Sequence, residues 1–329
     1  MTNATIGITM GDPAGIGPEI LLKLFQAELS GQCVVYGDTA WLKKTAARLA
    51  LPVTVQSVTH LDELAPQERG IMPVIQACDE VPPSLSVGKA SAQAGMAAYQ
   101  CLQTAIDDAL AHKLQAIVTA PLNKHAIHLA GIDFPGHTEI LSHRCGDVPV
   151  AMMLVNDDIR VLLVTIHTPL ANVASLITPA LEQQAIALAH QAGQQLGLKN
   201  PRIAVAGLNP HAGEQGRFGQ EEMIVIEPAI TAAREKGMNV SGPWPGDTVF
   251  SRARAGEFDI VVAQYHDQGL IPVKYLGIEQ GVNVTVGLPF VRTSVDHGTA
   301  FDIAHLGTAS PDSLWHAVKL ANQLASAGQ

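Results

Sequence analysis

Short apolar runs alternate with longer segments in which apolar residues recur every three or four positions, along most of the chain. The short runs are typical of buried strands and span residues 5–10, 32–37, 115–121, 150–155, 160–167, 202–206, 258–269 (with a following loop) and 282–287. The longer segments are typical of amphipathic helices and span residues 18–29, 39–49, 91–112, 179–196, 221–236 and 311–327. Alternating strands and helices predict an α/β architecture with a largely parallel sheet.

The length of 329 residues suggests about two domains. We expect a first α/β domain built from residues 1–135 plus 305–329, and a second from residues 136–304 that carries most candidate site residues. Hydrophobic residues make up 47% of the chain and charged residues 15%, a composition that excludes a disordered protein. The net charge of −10 argues against a nucleic-acid-binding surface.

The four cysteines show no C-x-x-C spacing, so we expect reduced thiols, most of them buried, in a cytoplasmic protein. No leader-like segment opens the chain, and no apolar run approaches the roughly 20 residues that a membrane span needs.

Three histidines follow apolar strand-like runs. His167 ends the run 160–167, His211 lies in the loop GLNPHAGEQG after 202–206, and His266 ends the sequence DIVVAQYH. Because the carboxyl ends of parallel strands meet at one sheet edge, the three imidazoles suit a divalent metal with an open coordination position. No short motif such as H-E-x-x-H supports a metal site, so isolated structural roles stay open.

Two acids accompany these histidines. Asp267 is adjacent to His266, and Asp247 lies in the loop WPGDTVF. Each is a candidate for proton transfer or for supporting a metal ligand. A turn-capping role for Asp247 and a solvated position for Asp267 are the simpler alternatives.

Candidate anion-binding residues occur in two segments. Lys274 and Arg292 are prominent in a stretch that is otherwise poor in charge, and both suit a phosphate or carboxylate. In FPGHTEIL, Thr138 is expected to cap a helix whose first amides, next to His137, could meet an anion. A plain capped helix with an incidental histidine is the alternative.

The segment GDPAGIGPE lies between a strand and a helix, where a dinucleotide-binding fingerprint would stand. Gly15 and Gly17 give G-x-G, but Ile20 replaces the third glycine. Asp38, after the next strand, takes the position of a ribose-binding acid. A tight turn between strand and helix is the alternative to a Rossmann domain.

Several blocks resemble the 4-hydroxythreonine-4-phosphate dehydrogenase family of vitamin B6 (pyridoxal phosphate) biosynthesis. They are GDPAGIGPE, TAPLNK, FPGHTE, GLNPHAGE, YHDQGL and GLPFVRTSVDHGTA, and they run in the family's order from about residue 6 to the last helix. The first block also resembles isocitrate and isopropylmalate dehydrogenases.

The resemblance implies a two-domain isocitrate/isopropylmalate-dehydrogenase-like fold with a central cleft, and not a Rossmann fold. It implies a homodimer with the active site at the subunit interface. It further implies one divalent metal per site (zinc, magnesium or cobalt) held by His167, His211 and His266, one of them supplied by the other subunit.

The reaction implied by the resemblance is the metal-dependent oxidation of 4-phosphooxy-L-threonine at C3 by NAD or NADP, followed by decarboxylation to 3-amino-2-oxopropyl phosphate. Asp247 or Asp267 is the expected base. The expected substrate ligands are His137, Thr138, Lys274, Asn283 and Arg292, and the expected cofactor contacts are Gly11, Asp12 and Gly15. Three alternatives stay open: a dehydrogenase of a related phosphorylated four-carbon hydroxy acid, a metal-dependent hydrolase, and a phosphate acyltransferase-like or binding protein.

Overall fold

The computed structural model describes residues 4–29, 31–277 and 281–327. The strands are β1 (Thr5–Thr9), β2 (Gln32–Gly37), β3 (Thr54–Val58), β4 (Ile71–Gln76), β5 (Ala116–Thr119), β6 (Ala151–Val155), β7 (Arg160–Leu163), β8 (Ile203–Ala206), β9 (Val240–Trp244), β10 (Ile260–Ala263), β11 (Val282–Val286) and β12 (Val291–Val295). The helices are α1 (Gly17–Leu24), α2 (Thr39–Arg48), α3 (Ala92–Leu110), α4 (Lys124–Leu129), α5 (His137–Arg144), α6 (Leu170–Leu176), α7 (Pro179–Gln195), α8 (Glu227–Glu235), α9 (Val249–Arg254), α10 (His266–Leu276) and α11 (Asp312–Ala327). Two 3-10 turns, Leu61–Glu63 and Pro210–Gly213, and a π-helical segment, Glu222–Ile226, complete the set.

The chain divides into two compact units. Unit 1 combines Met1–Val148 with Leu288–Ala327, and unit 2 is Pro149–Gly287. The sequence instead placed the divisions at 135/136 and 304/305. In the structure, α5 and β12 therefore belong to unit 1, and with them His137, Thr138 and Arg292.

Unit 1 is built on a parallel sheet. Its strands run in the order β3–β4–β2–β1–β5–β12, and each described pairing among them is parallel. The central strand β1 is apolar, and Ile6 and Ile8 are fully buried. Helix α3 packs against β1 and β2, while α11 packs against β12 and β5. This packing explains why β1 and β5 read as continuous apolar runs.

Unit 2 has a mixed sheet in the order β11–β6–β7–β10–β8–β9. The pairs β11–β6 and β6–β7 are antiparallel, whereas β7–β10, β10–β8 and β8–β9 are parallel. Val161, Ala204 and Val261 are fully buried in the core that these strands share. The carboxyl ends of β7, β8 and β10 meet at one edge, and the three histidine-bearing loops leave from that edge.

Helix starts follow the sequence in several places. Ser91 caps α3 by accepting a hydrogen bond from Ala94 N at 3.2 Å, and Thr178 caps α7. Asp38 is buried and caps α2, with one oxygen accepting from Trp41 N at 2.7 Å and the other from Val81 N at 2.6 Å. Asp38 thus has a structural role as a helix cap, and a ribose-binding role for it stays a prediction.

The α/β class with largely parallel sheets is confirmed. Strands β3, β4, β9 and β12 lay outside the predicted strands, and α8 is preceded by the π segment instead of continuing one regular helix. The four cysteines are free thiols, two of them buried and two partly exposed. Among the described residues, no helix combines the length and apolar character that crossing a membrane requires.

Candidate active site

Two cavities open at the carboxyl edge of the unit 2 sheet. One, of about 520 Å³, is lined by His167 and His266. The other, of about 590 Å³, is lined by His211 and Asp247. Tyr265 and Asp267 line both cavities, so the β10–α10 junction forms a shared wall.

His167 and His266 lie close together, with ring centroids 5.9 Å apart. His266 is the first residue of α10, and its Nδ1 is 2.7 Å from Oδ1 of Asp267. A carboxylate at Nδ1 fixes the tautomer and leaves Nε2 as the nitrogen that can bind a ligand or metal. Asp267 therefore supports His266, a role that adjacency in the sequence suggested.

His211 occupies the 3-10 turn after β8 and has a left-handed backbone with φ of 53°. Its ring packs near that of Phe218, with centroids 6.1 Å apart. A non-glycine residue in this region is strained, and such strain collects at functional sites. His211 lines its cavity together with both candidate bases, Asp247 and Asp267.

The donor set suits a borderline cation such as zinc, because imidazole nitrogens and a supporting carboxylate are its usual surroundings. Within the described residues of a single chain, no three His, Cys, Asp or Glu side chains form a group that could hold an ion. His167 and His266, two of the three predicted ligands, lie close together, and His211 lines the neighbouring cavity. A site completed by a histidine of a second subunit stays a prediction.

Two glutamines, Gln264 (buried) and Gln268 (half-buried), link the histidine-bearing loops. Gln264 Nε2 donates to Ala206 O at 2.9 Å, and Gln268 Nε2 donates to Gly207 O at 2.7 Å. The backbone carbonyl of Gln264 accepts a hydrogen bond from Thr165 Oγ1 at 2.7 Å. These bonds join the end of β10 to the ends of β8 and β7, and so fix the loops that carry His266, His211 and His167 relative to one another.

A cationic cluster lies in unit 1. Arg292 on β12 is buried and donates to Thr119 Oγ1 at 2.6 Å. Burial lowers the pKa of Arg292, and the Glu139 carboxylate partly offsets this effect. Burial, Arg292 and Lys124 together hold the pKa of His137 well below its usual value, so this ring is neutral at pH 7. A buried guanidinium beside an ammonium and a neutral imidazole suits a phosphate.

The remaining substrate candidates occupy different positions. Helix α5 begins at His137 with Gly136 as its cap residue, so Thr138 lies inside the first turn and the prediction that it caps the helix is wrong. Asn283, on β11, donates from Nδ2 to Met152 Sδ at 3.1 Å, and its Oδ1 is buried without a hydrogen-bond partner among the described residues. Lys274 lies on α10, half-buried.

The glycine loop before α1 is packed against its own unit. Gly11 has φ of +69°, and a Cβ there would lie 2.3 Å from Pro121 O. A Cβ on Gly15 would meet Thr299 at 2.9 Å. Burial raises the pKa of Asp12 to about 6, although the Ala14 amide donates to its carboxylate. Close backbone packing accounts for the two glycines, and their contact with a cofactor stays a prediction.

Sequence patterns alone did not single out several of these residues. Lys124 stood in the block TAPLNK, and Glu139 in FPGHTE, but neither carried a recognisable spacing. Gln264 gave no signal because its role depends on backbone carbonyls that come from distant strands. A polar residue directly after a buried apolar run is the one cue that could have marked it.

Sequence comparison identifies one protein family that the chain resembles over most of its length. The sequence model of the family "Pyridoxal phosphate biosynthetic protein PdxA" matches residues 30–321. A 4-hydroxythreonine-4-phosphate dehydrogenase of Beijerinckia indica subsp. indica is 50% identical, over 98% of this chain and 96% of that protein. A D-threonate 4-phosphate dehydrogenase of Salmonella typhimurium is 48% identical, over 99% of this chain and 100% of that protein.

Structural comparison gives the same result. The crystal structure of a 4-hydroxythreonine-4-phosphate dehydrogenase from Klebsiella pneumoniae has a TM-score of 0.92 and 42% sequence identity, covering 98% of each chain. These relatives are dehydrogenases, and the chain is an oxidoreductase of the same kind. Similarity over nearly the whole length shows that the chain belongs to the PdxA family of pyridoxal phosphate biosynthetic proteins.

Proposed function

We propose that the protein oxidises the C3 hydroxyl of 4-phosphooxy-L-threonine with NAD or NADP, and that the product loses carbon dioxide to give 3-amino-2-oxopropyl phosphate. The observation that carries this proposal is the buried Arg292 beside His137 and Lys124, a cluster that suits the phosphate group of such a substrate. The named activity of the relative from Beijerinckia indica supports the same substrate.

The chain's residues would divide the work. Arg292 and Lys124 neutralise the phosphate, and His137 and Thr138 stand in the first turn of α5, where helix amides favour an anion. Positioning of this kind accounts for part of the rate enhancement. Lys274 and Asn283 stay predicted contacts for the rest of the substrate.

Proton transfer is assigned to the acids of unit 2. Asp247 or Asp267 takes the C3 hydroxyl proton, directly or through water, as C3 gives its hydride to the nicotinamide. His167, His211 and His266 would hold a divalent metal, one of them from the second subunit. That ion supplies a positive charge that stabilises negative charge developing on a substrate oxygen.

A homodimer is part of the proposal. In unit 2, Leu170, Ile224, Ile271 and Tyr275 have between 60% and 89% of their surface exposed. Leu170 borders the His167 cavity, and Ile271 and Tyr275 border the His211 cavity. Exposed apolar residues at the rims of both cavities support their burial against a second copy.

A second candidate is oxidation of D-threonate 4-phosphate, because the relative from Salmonella typhimurium carries that name at 48% identity. The two substrates share the phosphate, the carboxylate and the C3 hydroxyl, and differ at C2 in carrying an amine or a hydroxyl. The geometry of Arg292 and His137 serves both.

Initial rates decide between these activities. Each substrate is assayed with NAD and with NADP, and nicotinamide reduction is followed by absorbance. We expect the larger kcat/KM with 4-phosphooxy-L-threonine, and the reverse order would favour the threonate. Phosphate release without nicotinamide reduction would instead support the hydrolase alternative, and no reaction with either compound would contradict the proposal.

A further inference from the structure

The loop that carries His211 has an uncommon backbone. Six consecutive residues, four of them not glycine, have positive φ angles; they are His211 (53°), Ala212 (52°), Gly213 (78°), Glu214 (43°), Gln215 (57°) and Gly216 (88°). Each non-glycine residue in this region is strained, since its Cβ crowds the backbone. A left-handed turn of this length persists only where its surroundings hold it in place.

The side chain of Glu222 contacts the loop on both sides of His211. Glu222 is 1% exposed, and its Oε1 accepts a hydrogen bond from Asn209 N at 2.7 Å while its Oε2 accepts from Asn209 Nδ2 at 3.0 Å. A Cβ on Gly213 would lie 2.6 Å from Oε2, and a Cβ on Gly207 would lie 3.2 Å from Oε1. The carboxylate thus packs against the backbone at Gly207 and Gly213, on either side of His211.

The π-helical segment Glu222–Ile226 accounts for the direction of this side chain. Glu222 is its first residue and is buried, whereas the next two, Met223 and Ile224, are exposed. A π turn changes the register of side chains along a helix, and such turns occur often at functional sites. Here Glu222 points into the loop that carries His211, whereas the two residues after it point to solvent.

We propose that Glu222 is a positioning residue whose buried carboxylate holds the left-handed turn 211–216 and so presents His211 to the cavity it lines. The part of the proposal that concerns metal binding rests on the proposed function, while the hold on the turn does not. A buried carboxylate is costly unless both oxygens accept hydrogen bonds, and Asn209 meets both of them.

A neighbouring acid gives a matched control. Glu221 Oε2 accepts from the same Asn209 Nδ2 at 2.7 Å, but Glu221 is partly exposed and does not reach the turn's glycines. Glu222→Gln puts a donor against the Asn209 amide, whereas Glu221→Gln leaves the buried carboxylate intact. The triple variant Asn209→Asp, Glu221→Gln, Glu222→Gln exchanges donor and acceptor between positions 209 and 222 and restores the bond.

Two measurements on the full-length protein test the proposal. The first is the rate of trypsin cleavage after the exposed Arg217, which reports opening of the turn without any metal. The second is Zn²⁺ affinity, measured by competition with a chromophoric chelator. We expect Glu222→Gln to speed cleavage about tenfold and to weaken Zn²⁺ binding about tenfold or more. Glu221→Gln should match the wild type, and the triple variant should regain most of both properties.

Equal cleavage rates for Glu222→Gln and Glu221→Gln would overturn the proposal. Faster cleavage with unchanged Zn²⁺ affinity would overturn the link between the turn and His211. A wild-type protein that binds no Zn²⁺ would refute the proposed metal function, and the cleavage rates would still decide whether Glu222 holds the turn. If Glu222→Gln does not fold, Glu222→Asp replaces it, because the shorter side chain withdraws the carboxylate from Asn209 N and Nδ2; cleavage at the wild-type rate would then contradict the proposal.

Discussion

The buried acid Glu182, in unit 2, should make the stability of the protein depend on pH by an amount that can be calculated. Glu182 lies on α7 with no exposed surface, and burial raises its pKa from 4.5 to about 8, although the nearby Gln264 side chain offsets part of the rise. The folded protein therefore keeps this proton at pH values where the unfolded chain has released it. The resulting stability is complete below pH 4.5 and is lost as the pH rises to about 8.

Replacing Glu182 by glutamine removes this dependence. Between the two pKa values, the free energy of unfolding of the wild type falls by about 1.4 kcal/mol per pH unit. The free energy of unfolding of Glu182→Gln minus that of the wild type should therefore increase by about 2.7 kcal/mol from about pH 5.5 to about pH 7.5. The change stabilises the variant relative to the wild type at the higher pH, because glutamine has no proton to lose.

Urea unfolding followed by circular dichroism at the two pH values measures this difference. Glu227→Gln, at an exposed position of α8, is the matched control and should show no comparable change between them. A Glu182→Gln difference that does not vary with pH would refute the reasoning, since it would mean that the folded protein already ionises this group.

Other predictions concern the site. Arg292→Ala should raise KM for the phosphorylated substrate by about tenfold to a hundredfold with a smaller effect on kcat, measured by initial rates; an unchanged KM would count against a phosphate role. Either Asp247→Asn or Asp267→Asn should lower kcat by about a hundredfold or more; because Asp267 also supports His266, its loss identifies the base only with an unchanged Zn²⁺ affinity, and a loss below tenfold in both variants would leave neither acid as the base. Mixing inactive His211→Ala and His266→Ala subunits should restore activity after demonstrated subunit exchange, and no recovery would contradict a shared site.

Much of the architecture follows from hydrophobic periodicity. Strands β1, β5, β8 and β10 are buried on both faces and read as continuous apolar runs, so their pattern is unambiguous. Strand β3 has exposed alternate residues, β4 contains Pro73, and β9 contains a Gly-Pro pair, so none of these shows a clean strand pattern. The antiparallel pairing of β6 depends on neighbours that its own sequence does not specify.

Some features of the candidate site could likewise be predicted from the sequence, and others could not. His167, His211 and His266 stood out because each follows a buried strand, and sheet geometry does bring their loops to one edge. The left-handed turn at 211–216 could not be predicted, because Ala212, Glu214 and Gln215 do not favour positive φ. That conformation depends on a carboxylate about ten residues further along the chain, and no local propensity encodes such a contact.

The central claim is that a single divalent cation is bound by His167, His211 and His266, counting both subunits. Anomalous diffraction from a crystal of the Zn²⁺-loaded protein tests it most directly. We expect one anomalous peak per site, about 2.0–2.1 Å from a nitrogen of each of the three imidazoles. Three rings that share no such peak in the assembled protein would contradict it.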